Sequence, residues 1–388
     1  MHPDTALHTG LQRLPGSAEE LATRLASTAL SELTRDEIDA LSRTYDDALA
    51  GPSTDENETL RLLTRPFSTR LVIPEYYRYT ALHVHDWFIA RQDDVVAGCL
   101  LAAHATLAEL ARIEHEEAAR HTVVPEHIAE RIRRLESLID HVGSLAVTPG
   151  TTTDDLVRAA WLDERKQRQL LVLKRCCGLR RSDKHDEHAF IRAVLACELA
   201  FYLVRHCARR VLAALRGDRS RLGFLVGQVA AFADLINRVF HMLKTLSPEL
   251  FLGFRDATGD ASALQSLNYH LMELVLYGYD ERKLETYTRF AHLDQINNAR
   301  LRELQSLRDA ALSGVDSRLT RGFAEVEQHL LVLRGRHYGL GRTYLPDIAG
   351  SGGTDGAAYL KRYVDKTGLR SGDLVDDADE LITRYAFC

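Results

Sequence analysis

The chain has 388 residues, 45% of them hydrophobic and 27% charged, enough apolar material for two domains or one large helical one. Its formal net charge of −6 and pI near 6.3 give no general electrostatic case for binding nucleic acid or anionic membrane. Six scattered cysteines (Cys99, Cys176, Cys177, Cys197, Cys207 and Cys388) form no CxxC, CxxCH or paired zinc spacing. That argues against zinc, a disulfide scaffold and c-type haem attachment, and for reduced thiols in a cytoplasmic protein, with Cys388 the one free to react.

The first residues, MHPDTALHTG, lack a charged stretch followed by an apolar core, so no signal peptide is expected and residues 1–16 read as a flexible lead. Ser17-x-x-Glu20 and Thr34-x-x-Glu37 are capping-box patterns, each opening a helix. Gly51-Pro52-Ser53 and Pro66 break the chain into short helices and turns over roughly its first 68 residues. From Pro74 to residue 113 the apolar positions recur at three and four, which predicts a buried helix or a helix pair. The most apolar run, 95–111, is interrupted by His104 and Glu109 and reads as a core helix, not a membrane span. His83 and His85 invite a metal reading, but residues two apart do not share a helix face, so structural roles are expected. A further charged helix is expected over 125–142, and Thr148-Pro149-Gly150-Thr151-Thr152-Thr153 is the best linker candidate.

Beyond the linker, residues 154–175 predict one charged helix ending near Gly178. The next helix opens with His185-Asp186-Glu187-His188, acidic groups at its positive end. His185 and His188, three apart, could share a metal, but capping and surface roles are the plainer reading. Residues 222–246 carry a clean apolar stripe (Leu225, Val226, Val229, Phe232, Ile236, Val239, Phe240, Leu243). Ser247-Pro248 gives the next helix its N-cap and first position. Arg255 closes the apolar FLGF run, where it could pair with an acid, cap a helix or receive a carboxylate. Residues 280–312 read as an amphipathic connection, and 316–333 lead into His337. This histidine lies among Arg334, Arg336 and Arg342, followed by Gly350-Ser351-Gly352-Gly353. A histidine in a helix can ligate a metal or haem iron, with arginines available to propionates. The glycines permit close backbone approach to an anion or a substrate end group. His329 is the rival donor; eight residues earlier, it points about 80° away around the helix.

Three of these stretches, in this order, resemble signatures of the tryptophan 2,3-dioxygenase family. His185-Asp186-Glu187 with Phe190, Ile191, Glu198 and Leu199 is similar to the family's HDE-x-L-F-I…E-L helix. Phe251, Phe254, Arg255, Ser262, Gln265, Ser266, Tyr269 and Glu273 fall in step with its second signature. Arg334, Arg336 and His337, then residues 350–356 (GSGGTDG) with Tyr359-Leu360-Lys361, resemble its proximal histidine and GTGGSSG loop. The chain departs where the family places a histidine that bonds the indole N–H: here it has Val194. Tyr269-His270 replaces the family's Phe-Arg, and the family's paired tyrosines find no clear counterpart, Trp161-Leu162 standing nearest. The first 150 residues show no match.

A divergent member is thus implied, with an all-α haem-binding bundle over 149–388 and an additional helical region over 1–148 of unassigned role. The resemblance implies haem b with His337 as axial iron ligand, and Arg334, Arg336, Gly350 and Gly353 around the cofactor. Arg255 would clamp the substrate carboxylate, and Phe190, Val194 and Phe251 would shape the ring pocket. Ser262, Ser351 and Gly352 would also contact substrate, the glycine loop gating access. No catalytic base is assigned, since Val194 stands in the histidine's place. The implied reaction inserts dioxygen into the indole C2–C3 bond of L-tryptophan or a substituted tryptophan. The alternative is a haem monooxygenase hydroxylating a tyrosine- or tryptophan-derived amino acid in natural-product biosynthesis. A non-enzymatic haem sensor or helical interaction module is a third reading. The expected partners are a small aromatic amino acid and dioxygen, with neither nucleic acid nor membrane, in a cytoplasmic homo-oligomer.

Overall fold

Local capping chemistry opens the chain's first helices. The Ser17 side chain accepts from the Glu20 N–H to start α1 (Ala18–Ser27). Thr34 and Glu37 satisfy each other's backbone N–H groups at the head of α2 (Arg35–Ala50), the reciprocal box expected from sequence. Thr54 caps α3 (Asp55–Thr64), which ends before Pro66. In this computed structural model the described residues are 17–345, 350, 354, 356–364 and 366. The expected lead at 1–16, Ser351, Gly352, Gly353 and Cys388 lie outside them.

The long pattern from Pro74 resolves into three helices, not one or two: α4 (Glu75–Thr80), α5 (His83–Ile89) and α6 (Val95–Ala118). Ala81 takes a left-handed conformation (φ 49°) that ends α4, and Asp94 caps α6 through the Ala97 N–H. His83 and His85 point to different partners, the Leu62 carbonyl (2.9 Å) and the Thr106 hydroxyl (3.2 Å). Burial pushes them down to about 4 and about 3, so both stay neutral structural groups. α7 (Glu126–Ser144) follows. The expected linker is an antiparallel hairpin of β1 (Ala146–Thr148) and β2 (Thr151–Thr152), turned at Gly150 (φ +87°).

The single helix expected over 154–175 is two, α8 (Thr153–Ala160) and α9 (Glu164–Cys176). Asp163 accepts the Arg165 and Lys166 N–H groups, so a side-chain cap restarts the helix where an unbroken pattern had suggested continuity. The remainder comprises α10 (Glu187–Arg216), α11 (Leu222–Leu243), α12 (Pro248–Arg255), α13 (Leu267–Tyr277), α14 (Leu284–Arg289), α15 (Ala299–Arg302), α16 (Leu307–Leu312), α17 (Ser317–Tyr344) and α18 (Ala357–Arg362). The described residues are 74% helical, and the all-α expectation is borne out.

α6, α10, α11 and α17 form the centre. Leu225, Val229, Phe232, Ile236 and Val239 of α11 are all buried, as their spacing requires. α17 approaches α11 closely at Gly322, where an added Cβ would lie 2.0 Å from the Val226 Cγ1. α6 and α11 are long and apolar enough to cross a membrane by length and composition, but 67% of each apolar window is buried inside the fold. Leu100, Leu107 and Leu135 share one apolar cluster with Leu199, Val229 and Leu330, so the core runs across the boundary drawn at 148/149. A fully buried leucine contributes roughly 1.5–3 kcal/mol, against about 0–1 for a surface ion pair, so apolar packing decides this attachment.

A buried ion cluster also ties these parts together. Arg131 of α7 donates to Glu114 of α6 (2.9 Å), Asp186 at the head of α10 (2.5 Å) and the Thr245 hydroxyl (3.1 Å). Arg131 and Glu114 are 0% exposed. Burial pushes the Glu114 carboxyl up, but His185 and Arg131 override it and hold it below its ordinary value. His185 lies 3.3 Å from Glu114, so it serves this joint between helices, while His188 faces Arg192 at 2.9 Å.

Candidate functional site

His337 lies in the last third of α17, half-buried, with the Phe240 ring of α11 edge-on at 5.4 Å. Burial alone pushes its imidazole down to about 4, so at neutral pH it is a neutral nitrogen donor. No hydrogen bond reaches it from another described residue. His329, the rival, is turned toward Asp234 at 3.5 Å and is already engaged with a carboxylate. Among the described residues no group of three or more His, Cys, Asp or Glu could hold a metal ion. Among those residues His337 belongs to no such group, and a single imidazole of this kind is what a metal needs when its remaining ligands arrive with a prosthetic group.

Phe190 of α10, Phe251 and Phe254 of α12, and Tyr344 at the end of α17 meet in one aromatic wall. Phe190 stands 5.5 Å from Phe251 and 5.4 Å from Phe254, and Phe251 stands 5.5 Å from Tyr344. The two rings singled out from sequence, 61 positions apart, are thus brought together. Phe190, Phe251 and Tyr344 are each half-buried, so they keep accessible ring surface. The Tyr344 hydroxyl donates to the Leu246 carbonyl (2.5 Å), tying the end of α17 to the turn before α12. Seven residues separate Tyr344 from His337, which places them on nearly one helix face about 10 Å apart along the axis. Val194, one turn beyond Phe190, is half-buried against the core and offers no polar atom.

The remaining candidates divide. Arg334 is buried, donating to the Tyr277 hydroxyl (3.1 Å) and Glu327 (2.7 Å), a packing role. Arg336 is half-buried beside His337 and donates to the Asn237 carbonyl (3.0 Å). Arg255 is the half-buried last residue of α12, one turn after Phe251. Ser262 is buried and caps a short turn by accepting from the Leu264 N–H. The Gly350 N–H donates to the Thr354 carbonyl (3.0 Å). Trp161 and Leu162, 68% and 89% exposed at the α8–α9 corner, take no part in this wall.

Sequence reasoning missed Tyr76 and Tyr77 of α4. The Tyr76 hydroxyl donates to buried Glu198 of α10 (2.6 Å), which also accepts from the Asn268 amide (2.9 Å). The Tyr77 hydroxyl accepts the Leu267 N–H that opens α13. Burial raises the Glu198 carboxyl despite these donors. The signal was the tyrosine cluster Tyr76, Tyr77 and Tyr79 after Pro74, in a segment with no family match. A separate cavity of about 290 Å³ lies among Leu33, Leu63, Phe67, Arg78, Tyr79 and Arg181, away from His337. Both its arginines are committed, Arg78 to backbone carbonyls and Arg181 to Glu75 and the Thr258 carbonyl.

The described residues thus form an all-helical protein in which an aromatic wall adjoins a helix that carries a neutral imidazole. The family model described as tryptophan 2,3-dioxygenase matches residues 165–316, from α9 through α16. A tryptophan 2,3-dioxygenase of Bacillus thuringiensis subsp. konkukian is 25% identical over 233 residues, covering 48% of this chain and 82% of the relative. That of Ruegeria pomeroyi is 31% identical over 145 residues (37% and 52%), and that of Xanthomonas campestris pv. campestris 29% over 121 (31% and 39%). Over its central part the chain is similar to the tryptophan 2,3-dioxygenase family. The family model stops short of α17, so His337 is a candidate on its flanking residues and its surroundings.

Proposed function

We propose that the protein is a haem-dependent oxygenase of the tryptophan-dioxygenase kind, adding dioxygen across the indole C2–C3 bond of L-tryptophan or a substituted tryptophan. The observation that carries this reading is the arrangement on α17. One face of that helix presents a lone neutral imidazole and, two turns on, a ring that completes the wall of Phe190 and Phe251. A single protein donor fits haem b, whose ring brings the equatorial ligands, better than a site built from several side chains. Haem, when bound, supplies the iron at which dioxygen reacts.

The chain's own groups bind and orient. His337 would hold the iron, and Arg336, placed beside it, is the arginine for a propionate, since Arg334 is committed to Tyr277 and Glu327. The wall of Phe190, Val194 and Phe251 would seat the substrate ring and exclude water, and Arg255, one turn after Phe251, would take the carboxylate bidentately. Ser351 and Gly352 belong to the same reading through the resemblance, as do a cytoplasmic location and a homo-oligomeric state. Val194 supports a second reading, hydroxylation of a tyrosine- or tryptophan-derived amino acid in natural-product biosynthesis, because it leaves the indole N–H no partner at that position. Incubating protein loaded with haemin and reduced once to the ferrous state with tryptophan and dioxygen separates the two. N-formylkynurenine formed with no reductant consumed per turnover supports the first; a hydroxylated product that needs peroxide supports the second; a chain that takes up no haemin sinks both.

A further inference from the structure

Away from the aromatic wall, four ionisable side chains are buried at the corner between α13 and α14. Glu273 of α13 and Asp280 of the following turn face Lys283 and Lys366, and each of the four is at most 7% exposed. Lys283 bonds Glu273; the Lys366 ammonium lies 3.1 Å from Glu273 and 3.2 Å from Asp280; Arg282 completes the pairing of Asp280 at 2.8 Å. Burial lowers the Lys366 ammonium against the pull of its two carboxylates, and Lys283 and Lys366 hold the Glu273 carboxyl well below its ordinary value although burial opposes them. Burying an ammonium is costly, and Lys366 is the only one of the four that lies beyond the glycine stretch.

Residues 362, 363 and 366 are each fastened to neighbouring elements. The Lys366 carbonyl accepts from Arg308 (2.7 Å), the Arg362 carbonyl accepts from Arg282 (2.9 Å), and the Tyr363 hydroxyl donates to the Arg282 carbonyl (2.9 Å). Between these ties and the candidate site runs α18, which packs on α17 at Gly341. A Cβ there would lie 2.9 Å from the Leu360 Cδ1 and 3.8 Å from the Ala357 Cβ. Gly341 is one turn after His337 on the same face of α17.

We infer that Lys366 is a positioning residue: by fastening the chain after α18 into the α13–α14 corner, it holds α18 against the helix that carries His337. Charge pairing shows why this role can be separated from folding. Without Lys366, Glu273 keeps Lys283 and Asp280 keeps Arg282, so no carboxylate is stranded in the core. The loss therefore falls on the tethered segment. The fastening itself follows from these contacts; its effect on substrate rests on the function proposed above.

Hydrogen exchange and steady-state kinetics on the full-length, haemin-loaded chain test it. Lys366→Met is expected to speed amide exchange over residues 357–363 by about tenfold while exchange in α10 and α11 stays unchanged. It is also expected to raise the tryptophan KM about fivefold with kcat within about twofold, a split that mere loss of folded protein does not produce. Arg308→Ala, which cuts only the tie to the Lys366 carbonyl, should act in the same direction more weakly and serves if Lys366→Met fails to fold. Unchanged exchange over 357–363 in both variants overturns the inference, as does faster exchange with an unchanged KM. If the wild-type chain binds no haem or turns nothing over, the proposed function fails separately. The exchange measurement on the unloaded chain then decides the fastening alone: acceleration supports it and no change overturns it.

Discussion

Replacing Arg131 by methionine removes the cation from the cluster that joins α6, α7 and the head of α10 while keeping most of the side-chain volume. Arg131 and Glu114 are fully buried, and the guanidinium makes three bonds, at 2.9, 2.5 and 3.1 Å. The variant strands Glu114, whose second oxygen already lacks a hydrogen-bond partner, leaving the His185 ring at 3.3 Å as its nearest remaining nitrogen partner. Breaking a buried pair from one side costs about 3–5 kcal/mol, far above the 0–1 of an exposed pair. The cost carries a pH signature. In the wild type Glu114 is held below its ordinary value, so its contribution is present at neutral pH and is lost as pH falls through its folded value. In Arg131→Met burial prevails and the carboxyl rises above its unfolded value, so the variant gains relative stability as pH falls. The difference should shrink by up to about 1.4 kcal/mol per pH unit between pH 8 and pH 5. Urea unfolding followed by circular dichroism across that range measures it. A difference below about 1 kcal/mol at pH 8, or one that grows on acidification, refutes the reasoning.

Gly322→Ala puts a methyl group into Val226 at the α11–α17 crossing, where the added Cβ would sit 2.0 Å from Cγ1. Overpacking of this kind costs about 1–3 kcal/mol, and a variant as stable as wild type would mean the crossing has slack. His85 and His270 are pushed down to about 3 by burial, against about 6.5 in an unfolded chain. Both take up protons on unfolding below that value, so stability falls with pH, each histidine adding about 1.4 kcal/mol per unit until its folded value is reached. His85→Asn should remove about one proton from the uptake measured by urea midpoints between pH 7 and pH 4.5, and an unchanged slope would count against a neutral buried His85. Arg255→Ala should raise the tryptophan KM by about thirtyfold to a hundredfold, the worth of a charge-assisted pair, and leave binding of tryptamine, which lacks the carboxylate, unchanged. Equal losses for both ligands would remove Arg255 from the clamp role.

Much of the fold is legible from local chemistry. The Ser17 cap, the Thr34 capping box, the Ser247-Pro248 helix start and the apolar stripe of α11 all depend on residues within a few positions of one another. The α8–α9 break escaped because the Asp163 cap competes with an otherwise continuous charged pattern. Of the site, Phe190 and Phe251 could be named in advance because each sits in a recognisable stretch, and the structure brings their rings within 5.5 Å. Tyr344 could not, since its meeting with Phe251 depends on how α17 ends against the turn before α12. The fate of Arg334 was equally hidden. An arginine three residues from His337 reads as a cofactor contact until packing shows its guanidinium held by Tyr277 and Glu327. Tyr76 and Lys366 reach partners 122 and 93 positions away, and pairings of that length leave no periodic trace in a sequence.

The most direct test of the account is the absorption spectrum of the protein loaded with haemin, taken for wild type, His337→Ala and His329→Ala. His337 as the iron ligand predicts a strong Soret band in the wild type. His329→Ala should retain it; His337→Ala should lose or shift it and recover it when imidazole is added. A His337→Ala spectrum identical to that of the wild type, or a His329→Ala variant that alone loses the band, would contradict the account at its centre.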